Sequence, residues 1–369
     1  MNPDDRTPRP DQLARTGRAH GKAARDQRGQ EQRVRPLRGT TSKDVALEAG
    51  VSQPTVSRAL RGDPSVAEAT RRRVVDAARR LGYIPSERGR SLSTRRTDRI
   101  GVVVEDLGNP FYFELLDALH DRLESRGLRM VVLTPARNDP ERLERLLDGS
   151  IDGVVLTTTL LDSPLPRRLL ERGFPFVLLN RTVDGAAADS CAVANVEAAA
   201  AVAAALAEAG HRCVGAILGP PETSTGRDRA AGFRRGLEAH GIELPAAWTR
   251  RGPFAYLTGH DAIGELLRRR SRPTAIFCAN DVIALGALNG AHGLGVRIPA
   301  ELSIVGFDDI AMAAWELFEL TTVRQDLQAM CQTAVDLLAA RIAEPEAPPR
   351  QVVLPARLVR RATLAPPPA

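Results

Sequence analysis

The stretch "TSKDVALEAGVSQPTVSRAL" (Thr41–Leu60) reads as two short helices joined by a tight turn. In the first, Val45, Ala46 and Ala49 fall on one helical stripe, which stops at Gly50. Ser52 stands as N-cap of the second, over Gln53 to Leu60, with Pro54 in the first turn, where its missing N–H costs little. Val56, Ala59 and Leu60 form the buried side of that helix, so Gln53, Pro54, Ser57 and Arg58 remain outside. A third helix, about Glu68 to Leu81, turns Val74, Val75, Ala78 and Leu81 inward and ends at Gly82. Three such helices make a helix-turn-helix unit. The polar residues of the second are of the types that read DNA. Gln bonds adenine in bidentate fashion, Arg bonds guanine or phosphate, and Ser and Thr serve either purpose.

Charge is distributed accordingly. Residues 1–99 hold 23 Lys and Arg against 12 Asp and Glu, whereas residues 100–369 hold 28 against 33. The net charge of +6 is therefore concentrated in the first quarter of the chain. That is the pattern of a polyanion-binding segment joined to a body with another task. Residues 1–38 lack the large apolar residues needed to offset ordering entropy, and are expected to form a disordered basic extension. A DNA-binding domain over 39–84 and a basic linker over 85–98 follow.

From Arg99 the texture changes. "RIGVVVED" opens a series of apolar runs separated by helical stretches: "RMVVL", "IDGVVLT", "FPFVLLN", "CVGAILG", "PTAIFCAN" and "LSIVGFD". Strands alternating with helices imply βαβ units and parallel sheets. The span 99–363 is long for one doubly wound sheet and is expected to form two α/β lobes with a cleft between them, ahead of a Pro-rich tail at 364–369.

Several enzyme classes are excluded by inventory. The only lysines are Lys22 and Lys43, so there is no P-loop lysine and no core lysine for a Schiff base. HExxH, GxSxG and a complete GxGxxG are absent, and Gly286, Gly290, Gly293 and Gly295 are read as turn residues. Six scattered histidines and four distant cysteines (Cys191, Cys213, Cys278, Cys331) lack metal-ligand spacing. No cofactor, metal or catalysis is expected. The most apolar stretch, Cys191 to Ala209, carries Glu197 and Glu208, and the N-terminus lacks an apolar export segment. A cytoplasmic protein with reduced core cysteines and no membrane contact is expected.

The run "TSKDVALEAGVSQPTVSRALRGDPSVAEATRRRVVDAARRLGYIPSERGRSLSTRRTDRIGVVVEDLGNPFYFELL", followed later by "GFDD" and by "TTVRQD" (Thr321–Asp326), resembles the lactose/galactose repressor (LacI/GalR) family of bacterial transcription factors over about residues 41 to 363. The resemblance implies an all-α helix-turn-helix headpiece, a hinge helix and a two-lobed, periplasmic-binding-protein-like α/β core with parallel sheets. It implies a homodimer on double-stranded operator DNA, acting under a small-molecule effector as a repressor, or as an activator where the operator position makes it one. A sugar or sugar derivative is the family default, with a nucleoside or purine as the alternative.

On the family pattern, Gln53 and Pro54 fall at the variable positions that choose operator bases, and Thr55, Ser57 and Arg58 at shared DNA-contact positions. Ser52 and Arg61 complete the DNA-binding set. Ser91 and Leu92 fall on the hinge helix, where the family inserts a leucine into the minor groove. Gly89 replaces the usual alanine there, which disfavours an isolated helix by roughly 1 kcal/mol. In the core, Phe111 and Tyr112 are implied at the cleft wall, and Arg229 inside it with Thr223 and Thr225 nearby. Asn280 or Asp281 is implied to join Asp308, with helix capping as the other role for Asp281. Arg and Asp at strand ends suit a hydroxyl-rich ligand, because both make charge-assisted hydrogen bonds. Ala194 stands where the family commonly has aspartate, and Ala67 where a Ser or Thr cap is usual. An exported solute-binding protein would need an export signal and no headpiece; an enzyme would need a nucleophile–base or cofactor motif. The sequence offers neither.

Overall fold

A computed structural model describes residues 40–83, 96–134, 149–269 and 271–368. The expectations for the basic extension and for Gly89, Ser91 and Leu92 lie outside the described residues. The chain divides into two compact units, Met1–Pro85 and Ser86–Ala369.

The first unit contains α1 (Ser42–Ala49), α2 (Gln53–Leu60) and α3 (Glu68–Arg80). Thr41 and Asp44 cap α1 reciprocally: the Asp44 N–H donates to Thr41 Oγ1 and the Thr41 N–H to Asp44 Oδ2 at 2.8 Å. Gly50 follows at φ +62°, a left-handed conformation that turns the chain into α2 at no steric cost. Val45, Val56 and Val74 meet with no exposed surface, and Ala77 joins them. Val75 is half-buried instead, because the helical period from Val74 brings 77 and 78 to the core face. Ser52 stands at the N-cap position, but its hydroxyl shares a hydrogen bond with Thr55 Oγ1 at 2.8 Å rather than capping a backbone N–H. Ala67 starts α3 without a side-chain cap.

The second unit has two parallel sheets. The first lobe holds β1 (Arg99–Val103), β2 (Arg129–Leu133), β3 (Gly153–Leu156), β4 (Phe176–Leu179), β5 (Ser190–Val193) and β11 (Gln351–Leu354), in the order β11-β5-β4-β3-β1-β2. Its helices are α4 (Pro110–Glu124), α5 (Leu165–Glu171) and α10 (Leu327–Ala343). The second lobe holds β6 (Val214–Leu218), β7 (Thr249–Arg251), β8 (Ala275–Cys278) and β9 (Ser303–Val305), in the order β7-β6-β8-β9. Around it lie α6 (Asn195–Glu208), α7 (Ser224–Glu238), α8 (Tyr256–Leu267) and α9 (Asp281–Gly293). β3, β4, β6 and β8 are buried throughout, which is why their sequences are apolar without alternation. An antiparallel pair, β10 (Thr322–Gln325) with β12 (Ala356–Val359), extends the second lobe. The chain passes between lobes three times: after β5, after β10 and after β11.

Gly286, Gly290 and Gly293 lie within α9 rather than in turns. Helices α8 and α9 touch backbone to backbone. A Cβ on Gly286 would stand 2.0 Å from the Tyr256 carbonyl oxygen, and one on Gly259 1.8 Å from that of Ile283. Gly286→Val is expected to destabilise the core by about 3 kcal/mol or more, because neither backbone can yield without separating the helices. Denaturant unfolding with a parent-like midpoint would contradict this packing.

Cys191, Cys278 and Cys331 are buried, but Cys213 is exposed. The proline-rich end is tied to the second lobe, where the Ala365 carbonyl accepts from His211 Nε2 at 2.9 Å and from Ser303 Oγ at 3.1 Å.

Candidate functional site

In the first unit, Ser52, Gln53, Pro54, Ser57, Arg58 and Arg61 are exposed, and Thr55 is half-buried. Gln53 Nε2 donates to Ser42 Oγ at 2.8 Å, which holds the starts of α1 and α2 together. The exposed side chains of α2 therefore include a hydroxyl, an amide and, further along, a guanidinium. That is chemistry suited to base edges and phosphates. Arg71 by contrast is structural, donating to the Asp63 carbonyl at 3.0 Å.

In the second unit, the C-terminal ends of β1, β3 and β4 face those of β6, β8 and β9 across a cleft, and three helices begin there. Each start is capped by a side chain: Asn109 Oδ1 accepts from the Phe111 N–H at 3.1 Å, Thr223 Oγ1 from Gly226 at 3.0 Å, and Asn280 Oδ1 from Ile283 at 3.0 Å. Phe111, Tyr112, Thr225, Arg229, Asn280 and Asp308 all line this cleft. Asn109, Asn180, Arg181 and Phe254 complete it. The cavity is only about 20 Å³, room for roughly one water. The lobes are closed over it. The Leu161 N–H donates to the Glu222 carbonyl at 2.9 Å, the Thr182 N–H to Ser224 Oγ at 2.9 Å, and the Ala311 N–H to Glu114 Oε1 at 2.7 Å. Arg227 reaches both Asp184 oxygens at 3.0 Å.

Arg229, 3% exposed, is held on every side. Its Nη2 meets Asp308 Oδ1 at 3.0 Å, Nε donates to Asn195 Oδ1 at 2.9 Å, and Nη1 donates to the Ala279 carbonyl at 2.8 Å. Its guanidinium lies 3.8 Å over the Phe307 ring. Burial pulls its pKa below the ordinary arginine value, against the charge of Asp308. Burial likewise pushes the Asp308 carboxyl up to about 6, against Arg229 and against Gln325, whose Nε2 donates to Asp308 Oδ1 at 2.7 Å. Asp308 is at φ +123°, a conformation that a non-glycine residue keeps only when its surroundings enforce it.

Asn280 and Asp281 have separate duties. Asn280 caps α9 and faces the cleft. Asp281 is turned away, accepting from Thr322 Oγ1 and from the Ile310 N–H at 3.0 Å, and so fixes the loop that carries Asp308. Burial, then the Asp308 charge, raises its carboxyl well above the usual range. Thr223 is likewise occupied as a cap. Ala194 starts α6 without a side-chain cap, and its neighbour Asn195 orients Arg229.

Three buried cleft atoms have no hydrogen-bond partner: Asn180 Oδ1, Arg181 Nε and Asn280 Nδ2. Asn180 and Arg181 were not singled out from sequence, although they end the apolar run "FPFVLLN" and follow it. A polar pair just past a strand's carboxyl end was the available signal. Phe254 had none, since it sits in the short loop after β7.

Residues 41–86 match the family model described as bacterial regulatory proteins, lacI family, and residues 203–364 match the periplasmic binding protein-like domain. The HTH-type transcriptional repressor PurR of Escherichia coli O1:K1 is 32% identical over 331 residues, which cover 88% of this chain and 97% of that repressor. The chain belongs to the lacI family. Among solved structures, a complex of the transcriptional regulator CelR with cellobiose shares 33% identity at a TM-score of 0.68, covering 88% of this chain and 99% of CelR. The Lac repressor dimer bound to operator and the anti-inducer ONPF shares 28% identity at a TM-score of 0.80, covering 88% and 98%. As a lacI-family member the protein is a DNA-binding transcriptional regulator with a helix-turn-helix headpiece and a two-lobed effector-binding core. Family members are regulators rather than enzymes. Among the described residues, no helix is long and apolar enough to cross a membrane.

Proposed function

We propose that this lacI-family protein represses transcription as a homodimer on a two-fold operator read by α2, and that a hydroxylated, sugar-like molecule between the lobes sets its operator affinity. The observation that carries the ligand reading is the convergence of Asn180 Oδ1, Arg181 Nε and Asn280 Nδ2, unpartnered, beside the Arg229–Asp308 pair. A buried polar atom without a partner is destabilising by about 1–3 kcal/mol, so three in one cleft mark a place where ligand hydroxyls complete the bonding. CelR, a relative at 33% identity, is complexed with cellobiose, which supports the class. Phe111 and Tyr112 meet edge to face at 80°, giving a sugar apolar edges and leaving no parallel pair of rings for a flat base. A hexose requires the lobes to part before they close on it. Calorimetry with a panel of mono- and disaccharides, their acids and their phosphates tests the assignment. Asn280→Ala is expected to weaken the binder by about tenfold, and unchanged affinity would move the site elsewhere.

The pair also predicts a pH dependence. Asp308 must be ionised to pair with Arg229 and accept a ligand hydroxyl, so effector affinity is expected to fall as pH drops through about 6. Stability runs the other way. A carboxyl raised by burial stabilises the fold below its unfolded pKa, and that contribution is lost as pH rises through 6. Asp308→Asn should flatten both profiles near pH 6; an effector profile with the same inflection in that variant would exclude Asp308 as its source.

A further inference from the structure

We propose that the effector is an acid: a hydroxylated molecule whose carboxylate or phosphate is taken by Arg181. This rests on the cleft reading above and adds the charge of the ligand. Two guanidinium groups and one carboxylate line the cleft. Arg229 is matched by Asp308 at 3.0 Å. Arg181, 9% exposed, has no carboxylate partner among the described residues. Its Nη1 donates to the Thr158 carbonyl at 3.0 Å, its guanidinium stands 5.9 Å from the Phe254 ring centre, and its Nε is unpartnered. Asp106, on the loop after β1, is turned to its own backbone and accepts from the Gly108 N–H at 3.1 Å.

A buried cation without a counter-charge is unfavourable, and arginine does not escape by losing its proton. Asp106 acts on Tyr112 and Asp281 on Arg229, so neither is matched to Arg181, and the helix starts add to its excess. α4, α7 and α9 all start at the cleft, and the partial positive charge at each helix start acts in the same direction. Asn280 Nδ2 is a second unpartnered donor. A neutral sugar would satisfy hydroxyl-type contacts and leave Arg181 uncompensated. An oxyanion matches the fork of a guanidinium with two parallel bonds, and a carboxylate or a phosphate offers that geometry equally.

The test uses the full chain and matched pairs at fixed ionic strength: glucose and galactose against their uronates, aldonates and 6-phosphates, measured by calorimetry. Inorganic phosphate alone is measured in parallel by thermal unfolding. Acids are expected to bind at least about tenfold more tightly than their neutral twins, and Arg181→Gln to equalise the two. Phosphate should raise the Tm of the parent but not of Arg181→Gln. Whether uronates or 6-phosphates bind best identifies the source of the oxyanion. A neutral twin that binds as tightly, or an acid preference that survives Arg181→Gln, overturns the proposal. Neutral binding that Asn280→Ala still weakens discards the charge alone and keeps the cleft as the effector site. A panel without any binder, with phosphate leaving the parent Tm unmoved, discards the acid as well.

Discussion

Arg229→Met is expected to abolish effector binding and to destabilise the core by about 3–5 kcal/mol. The substitution strands Asp308, 6% exposed, with only the Gln325 amide for company, and also frees Asn195 Oδ1 and the Ala279 carbonyl. Methionine keeps much of the side-chain volume over Phe307, so the loss reports the charge rather than a cavity. Removing Asp308 as well should restore part of the stability, because a buried pair replaced whole is far less damaging than one broken. It should not restore binding. Denaturant unfolding and calorimetry of the single variant and of Arg229→Met/Asp308→Leu separate the two effects. If the single variant matches the parent in stability and affinity, the pair holds neither fold nor ligand.

The second large effect is expected on operator DNA. Selection from random duplexes should return a two-fold motif with half-sites about one helical turn apart. Arg58→Ala should weaken binding by about tenfold to a hundredfold per half-site, since a good base or phosphate contact from an exposed arginine carries about that much. Gln53→Ala should act differently, relaxing preference at one base position of each half-site rather than lowering affinity evenly, because Gln53 opens α2 with its amide on the exposed face. Pro54 beside it fixes the backbone at the helix start. A motif without two-fold symmetry, or one unchanged by Gln53→Ala, would remove α2 from the reading role.

The headpiece was legible almost residue by residue, because short amphipathic helices depend on local signals. Gly50 and Pro54 announce a stop and a start, and α2 spans Gln53–Leu60 as read, although Ser52 does not cap it through its side chain. The buried strands were legible for the related reason that a strand covered on both faces must be apolar throughout. Several short strands were not. β5, β7, β10, β11 and β12 are three to four residues long, and β10 and β12 carry arginines on open faces. Some of them also pair with partners remote in the chain, as β5 does with β11. The glycines of α9 misled for a physical reason too. Gly286 and Gly290 look like turn punctuation, yet they are where another helix comes too close for a Cβ. In the cleft, charged residues at strand ends could be matched to the family pattern, whereas Asn180, Arg181 and Phe254 come together only once both lobes have folded.

Regulation by an effector requires that cleft and operator sense one another. By linkage, a ligand that changes operator affinity by some factor must have its own affinity changed by operator by that same factor. The decisive measurement is therefore calorimetry of the best-binding sugar or sugar acid against the full-length protein, with and without saturating operator at one salt concentration. The expected result is a shift of about fivefold or more, matched in size by the shift in operator affinity with and without that ligand. Equal ligand affinity in both titrations would contradict the proposed role of the cleft as the switch.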